Sequence, residues 1–148
     1  MKNAPRYRLV PLEIPSQVNG YATHVDESGF SVGVVYGDSN IPGQVRAARW
    51  NREGHRKDLG VSHGFTMAYG QNNRGIVVGS FSKGASGSAR AVMWDAGGEM
   101  TMLAPLGVAG LGEEAVSIND DGLIAGRALI QSGESHSCRR RFNIDPPC

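Results

Sequence analysis

The sequence lacks any apolar run of about 18 residues, the length that a helix needs to cross a bilayer. It also lacks an excess of charge, because 15 basic and 14 acidic residues leave a formal net charge of +1 at pH 7. A field this weak does not favour nucleic acid or an anionic membrane surface as a partner. The sequence therefore excludes a transmembrane helix and predicts neither a nucleic-acid-binding nor a membrane-binding protein.

Cysteine is scarce, and both cysteines lie near the end of the chain, at Cys138 and Cys148. No Cys-x-x-Cys pair is present, so neither a structural zinc site nor a disulfide-rich scaffold is expected. The two thiols could close a small loop in an oxidising compartment, and the sequence leaves open whether they pair. The first residues are basic but lack the apolar stretch of about 7 to 15 residues that a signal peptide requires, so the chain as written is predicted to be cytoplasmic.

Helical periodicity is missing, whereas glycine is abundant. No segment has apolar residues at a sustained spacing of three and four, so almost no helix is predicted. Glycine makes up 21 of the 148 residues, about twice its usual share of roughly 7%. Many glycines without a collagen-like period favour short strands joined by tight turns. A chain of this length fits one domain, so residues 1–148 are predicted to form a single all-β domain.

A repeat of about 46 residues accounts for many of the glycines. The segment 68–79, AYGQNNRGIVVG, aligns with 115–126, AVSINDDGLIAG, and more loosely with 22–33, ATHVDESGFSVG. A second element follows each of the first two copies, VRAARW at 45–50 and ARAVMW at 89–94. Asn or Asp at the start of each turn, with glycine three residues later, is typical of a tight hairpin. Each glycine-ended motif is therefore predicted to be a strand, a turn and a second strand.

The repeat divides the chain into three units, at roughly 13–60, 61–106 and 107–148. Residues 6–12 are similar to the last strand of a unit, so the order of strands is circularly permuted. Residues 129–148 form an atypical tail that loses the pattern. Together these segments predict about twelve short antiparallel strands, in three repeat units of four strands.

The order of the motifs resembles that of the HAF-repeat family. The pattern Ala-x-x-Ile-Asn-x-x-Gly-x-Val-Val-Gly, then Arg-Ala-x-x-Trp, then a strand ending in Leu-Gly, covers roughly 7–128 and is clearest at 68–103 and 115–126. The sequences RAA at 46–48 and RAV at 90–92 stand where the family has His-Ala-Phe. The resemblance implies a bacterial scaffold with no general enzymatic activity, in which each repeat is one blade of a β-propeller-like fold. It implies an extracellular location if the chain is a fragment of an exported family member.

Three units would make an incomplete propeller, since propellers typically have about four to eight blades. An open row of three leaves apolar surface on both end units, so self-association through those units is predicted. A β-trefoil, which is also built from three four-stranded repeats, is the alternative fold.

The recurrent glycines and aromatic residues are predicted to be structural. Trp50 and Trp94 lie 44 residues apart at matching places in their units, and they are expected to pack between neighbouring sheets. The glycines expected in the turns are Gly29, Gly75 and Gly122, and those expected to end the following strands are Gly33, Gly79 and Gly126.

The longer loops are predicted to lie at the opposite end of each unit from these turns, and binding residues concentrate on such loops. Aromatic side chains there could stack on a sugar, and charged side chains could orient it. The candidate ligand-binding residues are Tyr36, Asp38, His63, Phe65, Lys83, Glu113, Glu114 and His136.

No set of residues predicts a metal site or a catalytic centre. The four histidines never fall at the spacing of a zinc pair, and the Asn119 turn lacks the ligand alternation of a calcium loop. Ser62 precedes His63, but neither a nucleophile elbow nor an orienting acid accompanies them. The sequence thus predicts no cofactor and a non-enzymatic β-repeat scaffold or protein-interaction module. The alternative is a lectin-like module that binds a carbohydrate or another small ligand at the long loops.

Overall fold

A computed structural model describes residues 7–37, 45–84, 87–105, 112–129 and 135–141. These residues form eleven antiparallel strands and no helix, which confirms the all-β prediction. The strands divide into three small open sheets, and within each sheet neighbouring strands follow one another along the chain.

Sheet 1 contains β1 (Asn19–Val25), β2 (Ser31–Tyr36), β3 (Val45–Trp50) and β4 (Arg56–Asp58). Sheet 2 contains β5 (Phe65–Gln71), β6 (Val77–Ser82), β7 (Arg90–Trp94) and β8 (Met100–Met102). Sheet 3 contains β9 (Glu113–Ile118), β10 (Leu123–Leu129) and β11 (Ser135–Arg141). Each sheet is therefore a meander, made from one continuous stretch of sequence.

The structure has eleven strands rather than about twelve because residues 7–12 form no strand. A strand needs a hydrogen-bonded neighbour, and no described strand pairs with this segment. The chain that follows is instead held against sheet 1. The Glu13 N–H donates to the Gly54 carbonyl oxygen at 2.8 Å, and the Trp50 indole donates to the Glu13 carbonyl oxygen at 2.7 Å.

The glycine-ended turns form the β1–β2, β5–β6 and β9–β10 hairpins. Gly29, Gly75 and Gly122 have φ of 83°, 79° and 78°, in the left-handed region that glycine adopts without strain. The first turn residue closes each hairpin, because its side-chain oxygen accepts the backbone N–H four positions later. These bonds join Asp26 to Phe30, Asn72 to Ile76 and Asn119 to Leu123.

Each first strand carries one extra residue where it pairs with the second strand. These bulges fall at Thr23, Tyr69 and Val116, which are equivalent positions of the repeat. Gly33, Gly79 and Gly126 lie opposite them, inside β2, β6 and β10 rather than at strand ends, so that expectation from the sequence is wrong. A Cβ atom on any of these glycines would collide with a first-strand carbonyl oxygen, at Tyr21, Met67 or Glu114. Glycine is required because the two backbones approach so closely.

The sheets pack in chain order, with the first strand of each sheet against the preceding sheet. β5 contacts β1, β2 and β3, and β9 contacts β5, β6 and β7. We call the side of a sheet that faces the following sheet its forward face and the other side its backward face. Val32 and Leu59 lie on the forward face of sheet 1, in one cluster with Trp94 on the backward face of sheet 2.

The two tryptophans occupy equivalent places but have different neighbours. Trp94 is fully buried between sheets 1 and 2, and its indole N–H donates to the Leu59 carbonyl oxygen at 2.9 Å. Trp50 is also fully buried, on the backward face of sheet 1. Its cover is the chain before β1, which contributes Leu12, Ile14 and Val18.

A second cluster, between sheets 2 and 3, joins Val78, Ala91, Met93 and Leu103 to Ala115, Ile118, Ile124 and Ala128.

Candidate functional site

The three hairpin turns lie side by side at one end of the molecule and are hydrogen-bonded in a row. Asn73 Oδ1 accepts the Glu27 N–H at 3.2 Å, and Asp120 Oδ1 accepts the Asn73 N–H at 2.8 Å. The Asn73 side-chain amide also donates to Asp120 Oδ2 at 2.8 Å. We call the row of Glu27, Asn73 and Asp120 the turn ladder. It joins each hairpin turn to the turn of the neighbouring sheet.

The turn ladder lowers the pKa of Asp120. The main cause is the hydrogen bond from the Asn73 side chain, followed by the bond from the Asn73 backbone N–H, because both stabilise the carboxylate. Both carboxylate oxygens of this exposed residue are engaged by the neighbouring turn. The charge of Asp120 therefore serves the contact between sheets 2 and 3.

Buried polar groups of sheet 2 also hold the sheets together. Thr66 Oγ1 accepts the backbone N–H of Ala47 at 2.9 Å, and Gln71 Nε2 donates to the Phe30 carbonyl oxygen at 2.6 Å. Thr66 and Gln71 are 0% and 2% exposed, so each bond satisfies polar atoms that are shielded from water. These residues were not singled out from the sequence, because their partners lie 19 and 41 residues away, in β3 and in the β1–β2 turn.

The long-loop end lies opposite the turn ladder, and it carries the ligand-binding residues predicted from sheets 1 and 2. Tyr36 ends β2, is 41% exposed and meets Tyr21 edge to face, with ring centroids 6.2 Å apart. Phe65 begins β5 half-buried and pairs with Ser82, which brings the exposed His63 and Lys83 to the same end of sheet 2. Asp38 lies outside the described residues.

The remaining predicted residues belong to sheet 3. Glu113 and Glu114 begin β9, and the exposed His136 lies in β11 opposite Ala128. The side chain of Glu113 is buried, with its Oε2 atom 3.6 Å from Arg90 Nε, whereas Glu114 Oε2 lies 2.6 Å from Arg127 Nη2. Adjacent residues of a strand point to opposite faces. The two glutamates therefore form separate ion pairs.

A cavity of about 420 Å³ lies at the long-loop end, between sheets 2 and 3. Its polar lining combines Glu113, Glu114 and Arg127 with Ser88 and Ser135. The predicted aromatic residues do not line this cavity. The sequence analysis missed Arg127, since only the pairing of β10 with β9 places it opposite Glu114. Of the described ligand-binding candidates, Glu113 and Glu114 line this cavity, whereas Tyr36, His63, Phe65, Lys83 and His136 do not.

A second, more open cavity of about 290 Å³ lies over the turn ladder. His24 and Asp26 line it together with the ladder residues Glu27, Asn73 and Asp120. Among the described residues, no three histidine, cysteine or carboxylate side chains are close enough together to hold a metal ion. The pairing of Cys138 with Cys148 falls outside the described residues, which include the backbone of Cys138 but not its side chain.

These features define an all-β protein of three packed antiparallel sheets, with hydrogen-bonded turns at one end and a cavity among the long loops at the other. Comparison with protein-family models, with curated proteins and with solved structures finds no match. In the part of the chain that the structure describes, there is no helix with the length and apolar character needed to cross a membrane.

Proposed function

We propose that the protein is a non-enzymatic β-repeat scaffold or protein-interaction module, related to the HAF-repeat proteins. The turn ladder is the observation that carries this proposal. The same backbone-to-side-chain bond links sheet 1 to sheet 2 and sheet 2 to sheet 3, across 46 and 47 residues. Polar side chains that would otherwise be candidates for chemistry are used to build this repeated contact.

The packing of the sheets supports a partial β-propeller rather than a trefoil. Propeller blades are small antiparallel meanders arranged in chain order. Here β5 and β9, the first strands of sheets 2 and 3, each pack on the face of the preceding sheet. A rigid stack of this kind would hold the loops of the long-loop end at fixed spacings, which suits a surface that binds another protein.

The test compares the proteins captured by the wild type with those captured by a long-loop variant. The variant carries Tyr36→Ala and Lys83→Ala, both at exposed positions. Glu27→Ala, exposed at the turn end, is the matched control, because Glu27 joins the turn ladder through its backbone N–H, which alanine keeps. We expect the long-loop variant to lose specific partners that the wild type and Glu27→Ala both retain. If all three proteins retain the same partners, the long loops do not take part in the interaction.

Enzymatic activity would overturn the proposal directly. A panel of ester, phosphoester and glycoside substrates should show no turnover above that of the Glu114→Gln variant. Turnover that co-purifies with the wild type and is lost in Glu114→Gln would identify an enzyme whose site is the cavity beside Arg127.

The cavity itself favours a second candidate, a carbohydrate- or small-ligand-binding module. Hydroxyl groups of a sugar could bond the carboxylates and serines of the lining, and Arg127 could orient it. A glycan array followed by calorimetry tests this, with binding expected to be lost in Arg127→Ala. Binding that is lost in Tyr36→Ala but kept in Arg127→Ala would place the ligand on the exposed Tyr21 and Tyr36 pair instead.

A further inference from the structure

Sheet 3 has three described strands, whereas sheets 1 and 2 have four. In the complete sheets the fourth strand pairs with the outer edge of the third, with Lys57 opposite Arg49 and Thr101 opposite Met93. The third strand of sheet 3 is β11, and among the described strands it pairs with β10 alone. Within the described part of the chain, the outer edge of β11 therefore presents backbone N–H and C=O groups that no strand covers.

The chain contains a segment with the sequence pattern of a fourth strand. Tyr7-Arg8-Leu9 matches Lys57-Asp58-Leu59 and Thr101-Met102-Leu103, the ends of the two fourth strands and the leucine that follows each. Leu59 and Leu103 are 4% and 6% exposed, because each is buried between its own sheet and the next. Leu9, by contrast, is 94% exposed, and Tyr7 is 88% exposed.

The chain after this segment already lies where the link between two sheets should be. Leu12 and Ile14 pack in the cluster around Trp50, as Leu59 and Val61 pack in the cluster around Trp94. Each indole also donates to a backbone carbonyl oxygen of the link, at Glu13 and at Leu59. Residues 12–14 therefore take the place of the link before sheet 1, and the carbonyl that the Trp50 indole binds lies four residues after Leu9 rather than at the leucine itself.

The two end faces are exposed at positions that are buried elsewhere in the repeat. On the backward face of sheet 1, Val25 is 62% exposed, whereas its equivalents Gln71 and Ile118 are 2% and 8% exposed. On the forward face of sheet 3, Ala125 is exposed, whereas its equivalent Val78 is fully buried against the next sheet. In the two contacts that the chain makes between its own sheets, a forward face meets a backward face.

We propose that Tyr7–Leu9 of one copy adds to the outer edge of β11 in a second copy, and completes sheet 3 as its fourth strand. The repeat places Tyr7 opposite Arg139, because Arg139 pairs with Ala125 as Met93 pairs with Val78. Leu9 is then buried between sheet 3 of one copy and sheet 1 of the other. A second copy is the fitting partner, since one chain carries both an edge at Arg139 that no described strand covers and a segment that pairs with no described strand.

The backbone of the segment allows a sharp test. In the complete sheets the leucine N–H donates across the pair, from Leu59 to the Ala47 carbonyl oxygen and from Leu103 to that of Ala91. Alternate residues of an antiparallel strand direct their N–H to opposite sides. The N–H groups of Tyr7 and Leu9 therefore point at β11 in the proposed pair, and the Arg8 N–H points away from it.

Tyr7→Pro and Arg8→Pro are matched variants of the full chain. Each removes one N–H from a segment that lies outside the three sheets, so the fold of the single copy is preserved, which circular dichroism verifies. Light scattering over a series of concentrations should show association of the wild type and of Arg8→Pro. Association of Tyr7→Pro should be weaker by roughly tenfold, the effect of losing one shielded hydrogen bond. A wild type that stays a single copy, or equal association of the two variants, would overturn the proposal.

A disulfide measures the pairing directly. Tyr7→Cys combined with Arg139→Cys, in a chain that also carries Cys138→Ser and Cys148→Ser, should form disulfide-linked oligomers with oxidised glutathione, because opposed residues in a strand pair lie within disulfide reach. Arg8→Cys with Arg139→Cys is the control and should link poorly. A link within one copy, or equal linking by both pairs, would refute pairing with a second copy. The proposal rests on the proposed scaffold role but fails separately, since a single copy can still bind a partner through its long loops.

Discussion

Replacing Trp94 with alanine is the most direct test of how the sheets are held together. The side chain is fully buried between sheets 1 and 2, in one cluster with Val32, Ala47 and Leu59. Its indole N–H also satisfies the Leu59 carbonyl oxygen at 2.9 Å. Trp94→Ala therefore opens a large cavity between two sheets and removes the hydrogen-bond partner of a shielded carbonyl group.

The expected loss is about 3–5 kcal/mol of unfolding free energy, the usual cost of truncating a buried aromatic residue to alanine. For a domain of this size each kcal/mol lowers the melting temperature by about 2–4 °C, so the variant should melt roughly 10 °C below the wild type. Trp94→Phe separates the two contributions. It keeps most of the buried ring and loses the hydrogen bond, at a cost of about 1–3 kcal/mol.

Thermal and denaturant unfolding, followed by circular dichroism, measure these differences. Trp50→Ala is the matched comparison, because Trp50 is equally buried but is covered by residues of the 12–18 segment rather than by a complete sheet. We expect Trp50→Ala to be less destabilising than Trp94→Ala. A Trp94→Ala protein that melts within about a degree of the wild type would refute the packing of sheet 1 on sheet 2.

Other changes probe the bulges, the turn ladder and a buried hydroxyl. Gly79→Ala should cost about 1–3 kcal/mol in denaturant unfolding, because its Cβ would meet the Met67 carbonyl oxygen, whereas Gly84→Ala, with open space around it, should change little. The folded-state pKa of Asp120 is lowered, so its contribution is present above an unfolded pKa of about 3.9 and is lost as the pH falls through the folded value. The melting temperature of Asp120→Asn should therefore fall less between pH 5 and pH 2 than that of the wild type, and equal slopes would contradict the ladder. Burial raises the pKa of Tyr69, although the Ser80 hydrogen bond acts to lower it. Absorbance titration should therefore find one tyrosine that ionises at higher pH than the others, and this step should be absent in Tyr69→Phe.

Much of the sheet architecture could be predicted from the sequence, because its signals are local. The residues from Asn72 to Gly75 contain both the side chain and the glycine that close their hairpin, and the same holds at Asn119 to Gly122. The first strand at 6–12 could not be assigned correctly in this way. Its pattern is that of a strand, but whether a strand forms depends on a neighbouring strand that no local signal supplies.

The candidate site was less predictable, since its geometry depends on contacts between distant residues. Glu114 could be singled out as an unusual carboxylate near a loop, but its partner Arg127 is identified only by the register of β9 against β10. The role of Asp120 was hidden for a similar reason. From the sequence, a carboxylate in a turn is expected to be exposed to solvent without a partner. Only the packing of the sheets brings Asn73 into contact with it.

Because every sheet is a meander of consecutive strands, this chain can change its length in whole modules. Removing or duplicating a stretch such as 61–106 leaves all pairings inside the other sheets intact. At the new junction, a forward face would again pack on a backward face, and two hairpin turns would again be joined by the hydrogen bond of the turn ladder. The same locality lets each sheet finish pairing soon after its last strand leaves the ribosome, before the next begins. Gene duplication could thus extend such an array one cooperative unit at a time.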